Sequence, residues 1–467
     1  MLTYFPKYFS TRAIICYLVT LALVSAIFMD FVLPLQFVLF GVVAVVVFFV
    51  FSNQLTMKWE RYSERLFTRK IFTTAFLIRL AYVIFIYFYY ISATGKPHAF
   101  HAADEGFYQG MAQIWSESGY EEFRESMRAY ADFSDSGYCW WLAVLYLPFG
   151  PYVLVGRVVK CFLDAFICVL LYNIGKRNFG VATGRMAAVF YMLMPNAWFY
   201  CGVTLKEIEM AFLAILFVER GDLALRSPKL KLQDFILPLA IVAVMLTFRT
   251  AMAAVLAAAM VGAIILTSGK QLQLWKKVLF TSVFAVWMLA TVGVELVQET
   301  WSMVESREQN QTTGYQYRVE RANGNDFAKY ASASVFAPLI FTIPFSSMVE
   351  TPEQENQMMM NGANFIKNIL SGLTILALFL LLIRGDWRKH VLPIATMCGY
   401  LVVLVFSNFA HSERFHFPVL ALELLFAAYG VTQLTNKHKR WYVIWLVGIC
   451  VANVVWAWIK LRGRGLA

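Results

Sequence analysis

The stretch AIICYLVTLALVSAIFM (Ala13–Met29), Asp30, FVLPLQFVLFGVVAVVVFFVF (Phe31–Phe51) sets two apolar runs around one charged side chain. Each run is close to the roughly 20 residues an α-helix needs to cross a hydrocarbon core of ~30 Å. Lys7 and Arg12 precede the first run, and no small-residue cleavage site follows it. Residues 1–51 are therefore expected to remain an uncleaved helix hairpin in the membrane, not a signal peptide.

The rest of the chain reads the same way. Of 467 residues, 60% are hydrophobic and 15% charged, with 41 Phe, 23 Tyr and 13 Trp. Soluble domains hold about 25% charged residues, which excludes a soluble enzyme, a disordered chain and a disulfide scaffold. The net charge of +11 is spread over short loops between apolar runs, the pattern of a topology signal and not of a nucleic-acid surface. The seven cysteines have no CxxC spacing and read as small buried hydrophobes.

Further spans are expected at 71–91, 152–174, 185–203, 207–219, 234–249, 251–267, 278–297, 364–383, 390–409, 416–432 and 441–458. With the hairpin they make an all-α polytopic bundle of about 13 spans in one membrane domain. The basic stretch Lys58, Arg61, Arg65, Arg69 and Lys70 goes inside, and Lys176, Arg177 and Arg185, then Arg384, Arg388 and Lys389, repeat the sign. Residues 94–137, rich in Asp and Glu, then form a first outer loop, and 298–363 a second. The tail breaks the rule: Lys460, Arg462 and Arg464 fall outside by alternation. Tyr138–Phe149 and Ser334–Met348 are apolar but too short to cross, the latter broken by Pro338 and Pro344. Both are expected as interfacial or re-entrant helices. Asn310-Gln311-Thr312 is formally a glycosylation sequon.

Function has to come from charged groups at the outer face. Asp104 and Glu105 follow His98 and His101 just beyond an outward-going span. A carboxylate of restricted hydration there can act as a base or ligate a cation, or simply cap the next helix. Lys206-Glu207-Ile208-Glu209 opens another span, its two acids pointing in different directions on a helix. Arg249 and Arg414 stand at two further outward turns, where an arginine fork clamps phosphate or snorkels to the interface.

The order of these pieces resembles the GT-C superfamily of integral membrane glycosyltransferases, especially the protein-mannosyltransferase and aminoarabinose-transferase branch. Ala103-Asp104-Glu105-Gly106-Phe107-Tyr108 matches the acidic motif of the first outer loop. Ser136 to Trp141 leads through Phe149-Gly150 to Arg157 as the interfacial helix and the following span do. Leu171 to Gly180 matches the tyrosine-bearing span end and basic turn. Pro195 through Trp198-Phe199-Tyr200 to Glu207 matches the turn with a second acid, and Arg414-Phe415-His416-Phe417-Pro418 the late arginine. The match runs in order over about 70–250 and more loosely later. Three departures stand out: the extra N-terminal hairpin, no large soluble C-terminal domain, and Glu207 where many members carry Asp.

The resemblance implies a GT-C-like catalytic module over 71–297, followed by the C-terminal helices of 364–467. It implies an inverting glycosyltransferase that moves a sugar from a polyprenyl-phosphate donor to a lipid, glycan or protein acceptor. Asp104 would be the general base, with Glu105 and Glu207 in the catalytic group. Arg249, Arg414 or Lys206 would meet the donor phosphate, and Glu209 and His101 the acceptor or a metal. The resemblance specifies no cofactor and leaves a divalent cation (Mg or Mn) open. The interfacial helices at 138–149 and 334–348 would groove the isoprenoid tail. The implied setting is a bacterial inner membrane, among membrane lipids, with the site facing the periplasm or exterior. Two other classes compete: a polysaccharide polymerase or ligase using Arg307, Arg318 and Arg321, and a transporter or flippase, for which Asp164 is the main mid-span charge.

Overall fold

The computed structural model describes residues 2–131, 133–227, 232–266, 278–279, 281–284, 286, 338–407, 410–435 and 438–466. The expected span 278–297, the sequon, and Arg307, Arg318 and Arg321 therefore lie largely or wholly outside the described residues. The chain is helical, as expected. The hairpin forms α1 (Lys7–Ile27) and α2 (Leu35–Trp59), followed by α3 (Glu64–Thr94). The first outer loop folds as α4 (Ala103–Ser118), α5 (Tyr120–Tyr130) and the start of α6 (Phe133–Phe149). Next come α7 (Val153–Phe179), α8 (Val181–Leu193), α9 (Pro195–Cys201), α10 (Glu207–Arg226), α11 (Ile236–Phe248) and α12 (Thr250–Leu266). The later part holds α13 (Glu355–Met359), α14 (Asn361–Ile383), α15 (Val391–Phe406), α16 (Glu413–Thr432) and α17 (His438–Arg462).

Among the described residues, seven helical stretches are long and apolar enough to cross a membrane: α1, α2, α3, α14, Asp386–Phe406, α16 and α17. The shorter apolar helices include α8 and α12. α7 and α10 are long but carry buried charges, Arg157, Lys160 and Asp164 on one and Glu207, Glu209, Glu219 and Asp222 on the other. α16 is the axis of the bundle, with every residue from His416 to Thr432 buried, and it packs on α8, α10 and α14. The added hairpin is joined to this core at a backbone crossing. A Cβ on Gly362 would lie 2.4 Å from the carbonyl oxygen of Gly41, so α2 and α14 meet where only glycine fits.

Two expectations need correction. The 185–203 span is not one helix: α8 ends at Leu193 and α9 restarts at Pro195, because proline has no N–H for the ladder. Arg79 takes up the carbonyls this break leaves, donating to Met192 O at 3.1 Å and Tyr191 O at 3.2 Å, and it pairs with Asp164. The second correction concerns 334–348, whose described part (338–348) is a short turn followed by buried, irregular backbone and not a helix of that length. Its polar groups are met by a stripe on α14: Lys367 donates to Ile343 O at 2.7 Å, and Asn368 to Pro344 O at 2.9 Å. Irregular backbone at this depth survives only with such internal partners.

The basic tail also finds its explanation. Lys460 donates to Gln354 and Gln357 at 2.7 and 2.8 Å, and Arg464 to Pro352 O at 2.9 Å. The same segment touches the first outer loop, where Asn356 donates to Phe100 O at 2.6 Å. The tail thus lies on the face that carries Asp104, its charges held by hydrogen bonds. Charge rules for topology do not count such pairing.

Candidate active site at one membrane face

Asp104 and Glu105 occupy the first turn of α4, where acids complement the helix dipole. Neighbours on a helix diverge by about 100°, and these two part company. The Asp104 side chain is 57% exposed. Glu105 is buried and accepts from Ala99 N at 3.1 Å, Thr204 N at 2.7 Å and Arg157 Nη2 at 3.2 Å. Burial alone would raise its pKa. His98, Arg157 and the Thr204 N–H outweigh that and hold Glu105 below the usual glutamate value.

Arg414, in the first turn of α16, gathers the cluster. Its guanidinium pairs with Asp104 through Nη1 and with Glu207, at the start of α10, through Nε. A planar fork can hold two carboxylates from separate helices in this way. Glu207 is buried, and its Oε2 has no hydrogen-bond partner among the described residues.

Arg249 sits between α11 and α12. Its Nη1 donates to Tyr400 Oη at 3.2 Å, and its guanidinium lies 4.3 Å from the centre of the Phe415 ring. Among the described residues no carboxylate pairs with it. Lys206 is the opposite case. Its Nζ donates to Ser134 O at 2.8 Å and Phe248 O at 2.6 Å and pairs with Asp135. All three ammonium protons are spent on tying together the ends of α6, α10 and α11. His101 is exposed, with Nε2 3.1 Å from Glu355 Oε2.

Glu209 faces away from this cluster, towards α6 and α7, with Lys160 Nζ at 3.9 Å. It lines a cavity of about 630 Å³ together with Trp140, Trp141 and Phe248. The 138–149 segment, part of α6, therefore does wall a groove. A second groove of about 540 Å³ lies between Leu39 and Phe40 of α2, Phe85 of α3, Trp198 of α9 and Met360.

Asp104, Glu207 and Arg414 thus converge, Arg249 stands free of carboxylates among the described residues, and Glu105, Lys206 and Glu209 belong to the supporting wall. Asp135 and the charged stripe on α7 were not assigned to the site from sequence. Asp135 pairs with Lys206 and accepts from Tyr108 Oη at 2.9 Å. Burial would raise it, but Lys206 and Tyr108 hold it below the usual aspartate value. Arg157, Lys160 and Asp164 recur at intervals of three and four along α7. A charged stripe at helical spacing inside a span was the available signal for this buried support. As to a metal, the described residues contain no cluster of three or more His, Cys, Asp or Glu able to hold one. The cation between Asp104 and Glu207 is the guanidinium.

A family model described as the Alg9-like mannosyltransferase family matches residues 358–462, from just before α14 to the end of α17. No curated protein matches the chain. Among solved structures, the crystal structure of ArnT from Cupriavidus metallidurans bound to undecaprenyl phosphate is similar at 14% identity, with a TM-score of 0.47, covering 84% of this chain and 72% of that one. The family match takes in Arg414, and the order of the charged motifs resembles that of membrane glycosyltransferases of the GT-C type.

Proposed function

We propose that the chain transfers a sugar from a polyprenyl-phosphate donor to an acceptor hydroxyl or amine at the extracytoplasmic face, with inversion. The observation that carries this reading is the exposed carboxylate of Asp104, held on Arg414, which also binds Glu207. Asp104 takes the proton of the acceptor as its oxygen or nitrogen attacks the anomeric carbon. The bond from that carbon to the phosphate oxygen breaks, through an oxocarbenium-like state. Arg249 offsets the charge that builds on the departing lipid phosphate, being the arginine beside the cluster with no carboxylate partner among the described residues. Glu207, with one oxygen uncommitted, orients the acceptor. The apolar groove between α2, α3 and α9 suits the isoprenoid chain of the donor.

The test uses purified protein with a panel of short-chain polyprenyl-phosphate sugars and an acceptor extract, following release of polyprenyl phosphate. Acceptor-dependent release that falls at least about a hundredfold in Asp104→Asn, the scale of a lost general base, is the expected result. Equal release by both proteins overturns the role of Asp104.

A further inference from the structure

No Asp or Glu occurs in residues 1–29 or after Glu423. The helices α1 and α17 lie in these two stretches and pack on each other. Tyr442 Oη donates to Phe9 O at 3.2 Å, and the two rings meet edge to face at 4.8 Å. Both helices begin at the face remote from the Asp104–Arg414 cluster, where Leu2 N donates to Thr432 O. Each start carries cations, Lys7 and Arg12 on α1 and Lys439 and Arg440 on α17. The positive ends of the two helix dipoles add to the same sign.

Two of these cations converge on one ring. The Arg12 guanidinium lies 4.4 Å, and Lys439 Nζ 5.3 Å, from the centre of Tyr8. Both are exposed, and neither pairs with a carboxylate among the described residues. Other basic groups of this face are spent within the fold. Arg177 pairs with Asp222 at 2.6 Å, Arg226 with Asp222 at 2.8 Å, and Arg185 donates to Trp59 O at 2.9 Å. The Tyr8 ring attracts both of its cations, while the two like charges repel each other. An anion set between them turns that repulsion into attraction.

The corner also provides for apolar tails. Ile15 and Val19 follow Arg12, and Ile444 and Val447 follow Arg440, at the three- and four-residue steps that share a helix face. All four are exposed. On helices that cross a membrane they meet lipid chains, directly inward of the cations. A free phosphate has a use for the cations alone, whereas a phospholipid uses both parts.

We propose that the corner between the starts of α1 and α17 is a binding site for an anionic phospholipid. Its phosphate sits between Arg12 and Lys439 beside Tyr8, with Lys7 and Arg440 strengthening the field. Its acyl chains run along the two apolar stripes.

The test reads binding alone, so it does not depend on the transfer reaction. The full-length protein is placed in phosphatidylcholine nanodiscs with a trace of photoreactive phosphatidylglycerol or of photoreactive phosphatidylcholine. Labelled peptides are identified by mass spectrometry. The expected result is a preference for phosphatidylglycerol of about tenfold, ~1.4 kcal/mol, on peptides of α1 and α17. Arg12→Gln with Lys439→Gln abolishes the preference, and Tyr8→Leu lowers it part of the way. Arg65→Gln with Arg69→Gln takes the same charge from the same face at the start of α3 and leaves the preference unchanged. Thermal midpoints of the variants report that the bundle is intact. Equal labelling by the two lipids, or a preference that survives Arg12→Gln with Lys439→Gln in folded protein, overturns the proposal. So does a preference lost equally in Arg65→Gln with Arg69→Gln, which assigns it to the diffuse charge of the face. Loss of the preference in excess inorganic phosphate, against chloride of equal ionic strength, assigns the corner to a free anion and overturns the lipid.

Discussion

Arg414 reaches Asp104 across 310 positions of sequence, joining the first turn of α16 to the first turn of α4. The contact fixes where an otherwise exposed carboxylate points, and the same guanidinium holds Glu207. Replacing Arg414 by Lys keeps the charge but removes the fork. Transfer is expected to fall about a hundredfold in kcat, measured with a synthetic donor under saturating acceptor, while the thermal midpoint of the purified protein changes little.

Arg249 and Lys206 are both cations beside the site, and their partners separate them. Arg249→Met is expected to weaken donor use, by about tenfold or more in kcat/KM, with no loss of thermal stability. Lys206→Met is expected to lower the thermal midpoint, because Ser134 O, Phe248 O and Asp135 lose their shared donor. Paired unfolding and kinetic measurements distinguish the two; a donor-specific defect in a fully stable Lys206→Met would contradict this division.

Glu105→Gln should destabilise the fold, by about 3 kcal/mol, since it leaves Arg157 buried without its counter-charge. The pH dependence follows from the lowered carboxyl. Glu105 contributes fully above its ordinary value of 4.5, and that contribution is lost as pH falls through the lower folded value. Thermal unfolding in detergent from pH 7 to pH 3 should therefore narrow the gap between wild type and variant at the acid end.

Arg414 already occupies the space between Asp104 and Glu207, so a divalent ion bridging these two would have to displace it. Transfer by protein treated with EDTA and assayed without added metal is expected to match the untreated rate. A loss restored by Mg or Mn would place a cation in the cluster.

Asp164→Asn leaves Arg79 charged and unpaired at the break between α8 and α9, and it should cut the yield of folded protein. A joint Arg79→Leu, Asp164→Leu exchange should recover more of it than either single change. A transporter reading of Asp164 predicts no such rescue.

The helical class and the charged residues of the candidate cluster were legible in the sequence because both rest on local signals. Apolar length marked the spans, and charges at outward turns marked Asp104, Glu207, Arg249 and Arg414. The sequence could not tell Asp104 from Glu105, since which neighbour points inward depends on where Thr204 and Arg157 arrive from other helices. Lys206 looked like Arg249 for the same reason: a cation near an anion site is free or spent according to tertiary partners. The irregular run at 338–348 read as helix because its apolar composition says nothing about Lys367 and Asn368 waiting on α14.

The two chain ends occupy opposite sides of the bundle. Leu2 N donates to Thr432 O at 3.3 Å, at the far end of α16 from Arg414, whereas Lys460 and Arg464 are bound beside the loop that precedes Asp104. A reporter fused before Leu2 therefore samples the compartment remote from the Asp104–Arg414 cluster. One fused after residue 467 shares the side that carries Asp104, and under the proposed function it would crowd the approach of the acceptor.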